Sequence, residues 1–232
     1  MIIFLKKIPN NKPIIFHSDL LSLGKEILYN KKKIKKSFLC IFKKGIFIPS
    51  FYLGKKKYIR FDKFEHTMGA MTNLCIKDAA FKRIINPMHS YIFSNINMDV
   101  LKYKNYSFGK KSIFNFFYQN NCTWVNFGLN YNEGFTIFHH AEDLCNVNYR
   151  NRILLKRKIQ TEKKYSINYN YFSRKKKLIY NFDKAVKAMI NKKILKSIFL
   201  KNNKEILFGD SKKIIDFLVI KINKDMNYLL KK

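Results

Sequence analysis

The sequence predicts an α/β or α+β fold, and three observations carry that expectation. Short apolar runs of strand length alternate with stretches of helical spacing. Of the 232 residues, 47% are hydrophobic and 16% aromatic, which is enough to bury a sizeable core and argues against disorder throughout. Neither an internal repeat nor a long linker interrupts the chain, so residues 1–232 read as one domain.

Taken in order, residues 13–18 are short and apolar, a buried strand. Residues 20–36 have helical character and end in a Lys-rich run. Residues 37–42 and 45–51 are β-rich, the second closing near Pro49, and polar residues 57–66 read as a loop. Residues 68–84 show helical spacing that Pro87 ends or redirects. A helix starts after a turn at Gly109, over residues 112–118, with Ser112 as N-cap. Residues 122–128 read as a strand, and 135–145 as a helix or a strand-to-helix junction. Residues 165–172 and 177–180 suit strands, and 183–195 a helix. Asp210 and Ser211 cap a final helix whose apolar face is Ile214, Leu218, Ile222, Met226 and Leu229.

The formal net charge is +32, which by itself suggests nucleic acid or an anionic membrane. Only six of the 47 basic residues are arginine, the residue suited to bidentate reading of bases. Lysine, isoleucine, asparagine, tyrosine and phenylalanine are the residues that AT-rich codons encode, so base composition accounts for much of the charge. Nucleic acid is thus a disfavoured partner, although a basic surface would attract a phosphate-bearing small molecule. The four cysteines, at 40, 75, 122 and 145, lack metal or redox spacing and suit a reducing cytoplasm. The apolar start is too short for a signal peptide, and no run approaches the roughly 18 residues of a membrane span. A cytoplasmic protein is expected.

Four segments are candidates for chemistry. In the first, the run from Phe16 through His17, Ser18, Asp19, Leu20, Leu21 and Ser22 to Gly24 passes from an apolar strand to hydroxyls and backbone N–H groups that suit an anion. In the second, His89 follows Asn86, Pro87 and Met88, and its imidazole titrates in the range needed to take a proton from an ammonium nucleophile. In the third, Lys110, Lys111 and Ser112 follow the Gly109 turn and make a plausible phosphate seat without the spacing of a P-loop. In the fourth, His139 and Glu142 are three apart and share a face if the segment is helical. A zinc site built from His139, His140 and Cys145 is poorly spaced, so no metal is expected. Each segment also has an ordinary structural reading as a cap, a turn or a surface histidine.

The order of these pieces resembles the aminoglycoside 3-N-acetyltransferase family. The resemblance runs from His17–Leu20 and Ser22–Gly24, through Gly45–Phe51, Met68–Ala70 and Asn86–Ser90, to Phe108–Ser112, Thr136–Glu142 and Val147–Arg150. It is close over residues 13–152 and loose over 153–232, and it looks most similar to the branch associated with surface-sugar biosynthesis. The pyrophosphate loop of the common acetyltransferase fold is absent, as is the hexapeptide repeat of β-helical acetyltransferases. The resemblance implies a single domain with a central mixed sheet flanked by helices. It also implies transfer of acetyl from acetyl-CoA to an amine of an amino sugar or aminoglycoside. Carried over by position, His89 and Glu142 are the base and its orienting or substrate-binding carboxylate, with His139 a second base candidate. Ser18, Asp19, Leu20, Ser22 and Ser90 would line the coenzyme arm, and Lys110, Lys111 and Ser112 would meet its phosphates. His17 marks the coenzyme strand without a catalytic role. An inactive binding subunit and a basic nucleic-acid-binding protein are the competing readings.

Overall fold

The computed structural model describes residues 5–20, 36–37, 39–54, 58–175, 178–200 and 204–231. Among these described residues, ten strands fall into two sheets. In chain order they are β1 (Ile14–Ser18), β2 (Ile46–Pro49), β3 (Tyr58–Arg60), β4 (Lys82–Arg83), β5 (Tyr91–Ser94), β6 (Thr123–Phe127), β7 (Arg150–Gln160), β8 (Lys164–Arg174), β9 (Leu195–Phe199) and β10 (Glu205–Asp210). The large sheet has the order β4-β5-β2-β1-β6-β10-β9. Its central trio β2-β1-β6 is parallel, and the outer strands run antiparallel to their inner neighbours. The small sheet pairs β3 in parallel with β7, which forms a long hairpin with β8.

The central strands bury both faces because both sets of alternating side chains are apolar. Ile15, Phe47, Tyr91, Phe93, Trp124 and Leu207 point into one core. There they meet α2 (Ile113–Gln119), α4 (Phe138–Leu144), α5 (Phe182–Asn191) and α6 (Ser211–Lys224). Ile14, Phe16, Ile46, Ile48, Val125 and Phe127 point the other way, against Phe42 and the residues of α1 (Ala70–Cys75). A short helix, α3 (Tyr131–Gly134), leads from β6 toward α4. Each fully buried side chain of this size contributes about 1.5–3 kcal/mol, so the two cores outweigh any local propensity.

Several expectations need correction. Residues 39–41 are helical rather than β, since a short apolar run does not separate helix from strand by periodicity. The polar segment expected to be a loop contains β3, whose only deeply buried side chain is Ile59. The long helix expected over 68–84 stops at Cys75, and the chain turns where the Asp78 carboxylate accepts from the Ala80 N–H (2.8 Å). Residues 178–180 make one bridge, Tyr180 to Leu230, and no strand. The last helix ends at Lys224, so Met226 and Leu229 lie beyond it. Asp210 sits at its N-cap position, but its carboxylate accepts from Lys12 Nζ (2.9 Å) instead of capping. Strands β1, β2, β6 and β8 and helices α2, α4, α5 and α6 fall where expected. The helix expected over residues 20–36 lies almost wholly outside the described residues.

Candidate active site

A cavity of about 620 Å³ opens at the C-terminal ends of the parallel trio. Open α/β sheets place ligands at this edge. His17, Ser18 and Asp19 come from the end of β1, Pro49 from β2, and Leu129 from the loop after β6. Helix α4 presents His139, and the β7–β8 hairpin brings Arg150, Tyr171 and Arg174 across the opening, joined by Tyr180.

The chemistry concentrates on α4. Three-residue spacing puts His139 and Glu142 on one face, with 2.6 Å between Nδ1 and Oε2. Asn146 then takes a left-handed conformation (φ 50), and the Val147 N–H donates to the Glu142 carbonyl. This closing turn folds the next residues back over the carboxylate. Tyr149 Oη donates to Glu142 Oε1 at 2.9 Å, and Arg150 Nε lies 2.9 Å from Oε2 as an ion pair without an aligned hydrogen bond. Arg150 is itself fixed by donating to the Phe172 carbonyl (2.9 Å) and to Tyr180 Oη (2.5 Å).

Glu142 is wholly buried, which by itself raises its pKa, but His139, Arg150 and Tyr149 outweigh that and hold the carboxyl below its ordinary value. Burial lowers the His139 pKa; Glu142 opposes the shift and Arg150 adds to it. Arg150 Nη2 also lies 2.9 Å from His139 Nδ1, yet one nitrogen does not both give a proton to a carboxylate and accept one from a guanidinium. The shorter, charge-assisted contact to Glu142 decides the tautomer. Nδ1 carries the hydrogen and Nε2 keeps its lone pair, on a ring whose side chain is 21% exposed at the cavity.

The other histidines differ. His89 lines the cavity, but its Nδ1 meets Tyr169 Oη (3.1 Å) and Glu142 is not its partner. Burial, helped by the fields of His139 and Arg150, pushes its pKa down to about 3. His17 stacks on Trp124 at 4.5 Å with Nε2 against Tyr91 Oη (3.2 Å), and burial also takes it to about 3. His140 faces the core, where its Nδ1 accepts from the Gly109 N–H. The ring of Phe108 lies between His89 and His139, at 4.8 and 5.6 Å.

Of the residues expected to hold coenzyme, Ser18 and Asp19 line this cavity. Leu20 is buried in the core behind β1, and Ser22 lies outside the described residues. Ser90 does not line it: fully buried, its hydroxyl donates to the Ile84 carbonyl and accepts from Arg83 Nε. Lys110 and Lys111 line a separate cavity of about 380 Å³ with Tyr106, Asp143 and Arg152, and Phe108 borders both. Ser112 is buried and donates to the Gly109 carbonyl (2.7 Å), so its hydroxyl neither caps α2 nor faces a phosphate. Arg174 and Tyr180 had no sequence signal: the hairpin register brings Arg174 to the cavity, and Tyr180, beyond the hairpin, is held there by its bridge to Leu230 and the hydrogen bond from Arg150. Arg150 fell within a matching segment, but its contact with Glu142 depends on the turn at Asn146.

A cavity at a sheet switch point, with an imidazole backed by a buried carboxylate, is the equipment of acid–base group transfer on a small molecule. A family model described as aminoglycoside 3-N-acetyltransferase matches residues 55–222, most of the chain. The chain belongs to this family and is by that membership an N-acetyltransferase. No curated protein sequence matches it. Solved structures share the fold at low identity. The YokD protein from Bacillus subtilis matches with a TM-score of 0.75 at 14% identity, over 97% of this chain and 92% of its own. The apoenzyme of aminoglycoside acetyltransferase AAC(3)-IVa matches at 0.77 and 12%, over 99% and 88%. AAC-IIIb, solved as a binary complex with CoASH, matches at 0.73 and 12%, over 96% and 93%. Among the described residues no group of His, Cys, Asp and Glu could hold a metal ion, and no helix is long and apolar enough to cross a membrane.

Proposed function

We propose that the protein transfers acetyl from acetyl-CoA to an amino group of an amino sugar or aminoglycoside, in the cytoplasm. The observation that carries this reading is the 2.6 Å contact between His139, on the cavity wall, and the buried carboxylate of Glu142. In this mechanism the amine lone pair attacks the thioester carbonyl carbon as His139 Nε2 accepts the amine proton. The C–S bond then breaks, and the imidazolium returns the proton to the departing thiolate. Glu142 fixes the tautomer and stabilises the imidazolium while Arg150 keeps the carboxylate ionised. The coenzyme that supplies the acetyl group fits beside Ser18 and Asp19, and the net positive charge favours its phosphates. Four free cysteines agree with a reducing compartment.

The reading makes His139, rather than His89, the base. Thiol release from acetyl-CoA over a panel of amino sugars and aminoglycosides tests it. His139→Ala is expected to lower kcat by about 10²–10⁴-fold. His89→Ala, which removes a group that burial already holds neutral, is expected to cost less than tenfold. The reverse order would move the base to His89, and no transfer to any amine would refute the activity.

A further inference from the structure

The β7–β8 hairpin carries a row of charge that acetyl transfer does not use. Neither strand contains an acidic residue, and alternation separates their two faces. On one face Ile159 and Ile167 bury against Ile59 and Phe61. The other face presents Arg152, Leu154, Lys156 and Lys158 along β7, each about 7 Å from the next, with Lys164, Ser166 and Asn168 on β8. All of these are exposed. Lys156, Lys158 and Lys164 have no ion pair with a described residue. Glu162, in the hairpin turn, lines the pocket of Phe61 and Arg83 instead.

The row continues into the cavity of about 380 Å³, where Lys110 and Lys111 stand beside Arg152. The carboxylate of Asp143 is buried and already paired with Arg152, so the two lysines keep their charge. Leu154 is 65% exposed in the middle of this cationic surface, between Arg152 and Lys156. The combination selects among polyanions. Lysines are point charges rather than planar forks, and the one aromatic residue on this face of the hairpin, Phe172, is buried, so bases have nothing there to stack on. A phospholipid surface satisfies both parts, offering phosphates to the ammonium groups and hydrocarbon to Leu154.

We propose that this face docks the protein peripherally on a membrane rich in anionic phospholipid, with a phosphodiester headgroup in the Lys110, Lys111 and Arg152 cavity and Leu154 in the interface. The inference stands apart from the acetyl-transfer reading. The net charge of +32 makes other faces basic too, so the test sets equal charge changes at two places against each other.

Sedimentation with sucrose-loaded vesicles compares phosphatidylcholine alone with an equimolar mixture of phosphatidylcholine and phosphatidylglycerol, at physiological salt. The wild type is expected to partition at least tenfold better into the mixture. Lys156→Glu/Lys158→Glu should lower that partition by about 25-fold or more, at roughly fivefold per lysine lost. Lys164→Glu, on the other strand, should act in the same direction. Lys43→Glu/Lys44→Glu makes the same change in net charge in the exposed turn before β2, and should lower it by less than about threefold, since distant charges are screened. Leu154→Asn should weaken partition several-fold with no change in charge. Thermal unfolding of each variant separates lost docking from lost folding. Equal partition of the wild type into both vesicles, an equal loss in the two double variants, or full binding by Leu154→Asn overturns the proposal. So does tighter binding of a single-stranded oligonucleotide than of vesicles through Lys156 and Lys158, which would assign the face to nucleic acid.

Discussion

At the scale of single residues, Glu142 ties the site together, because three side chains depend on one buried carboxylate. Glu142→Gln removes the charge but keeps the shape. It leaves Arg150 with an uncompensated charge in a buried setting, where breaking an ion pair costs about 3–5 kcal/mol. The variant is expected to lose at least 10²-fold in kcat together with a clear fall in Tm, measured by thiol release and thermal unfolding. His139→Ala should lose activity with a smaller fall in Tm, since its ring keeps some exposure. Equal stability of Glu142→Gln and wild type would show that Arg150 finds another partner. The i,i+3 pairing of His139 with Glu142 was legible in the sequence, because helical spacing suffices to read it. The pairing of Glu142 with Arg150 was not, because it depends on a left-handed Asn146 that no periodicity signals.

At the scale of elements, the turn before α2 and the helix α4 are locked together. Gly109 takes φ +85 and gives its N–H to His140, and a side chain there would collide with the carboxylate of Asp143, which is paired with Arg152. Gly109→Ala therefore combines backbone strain with a steric clash and is expected to cost about 1–3 kcal/mol. Because Phe108 lies next to His139, kcat should fall as well. Thermal unfolding and kinetics together check this, and an unchanged Tm would contradict the packing described. Strands of the large sheet such as β1 and β6 were readable as apolar runs, since both of their faces are buried. Strands β7, β9 and β10 were missed: β7 is mostly exposed and rich in Lys and Arg, so it has no apolar alternation to read. Pairing with β8 and β3, not its own composition, holds it in place.

At the scale of the whole molecule, three neutral imidazoles are buried. His17, His89 and His140 each have a folded pKa near 3 against 6.5 for an ordinary histidine, in each case chiefly through burial. The unfolded chain therefore binds more protons than the folded one between those values, and stability falls as the pH drops below 6.5. By pH 4.5 each imidazole costs roughly 2–3 kcal/mol, so together they are comparable with the whole stability of a typical domain. A steep decline of Tm between pH 6.5 and pH 4.5 is expected in a buffered thermal series; a flat profile would mean that these rings are hydrated. The overall class was legible from alternation and composition, whereas the wall of the acceptor cavity was not, since its arginines lie 24 positions apart in sequence and meet only through strand register.

The order of strands in the large sheet also has a consequence for synthesis. β6 pairs on one side with β1, made more than a hundred residues earlier, and on the other with β10, made near the end. While a ribosome is still extending the chain, Thr123–Phe127 has one unpaired edge of apolar residues, ready to join a neighbouring chain. Fragments ending before residue 205 are expected to aggregate, and centrifugation of stalled nascent chains would show a return to solubility only once Glu205–Asp210 has emerged.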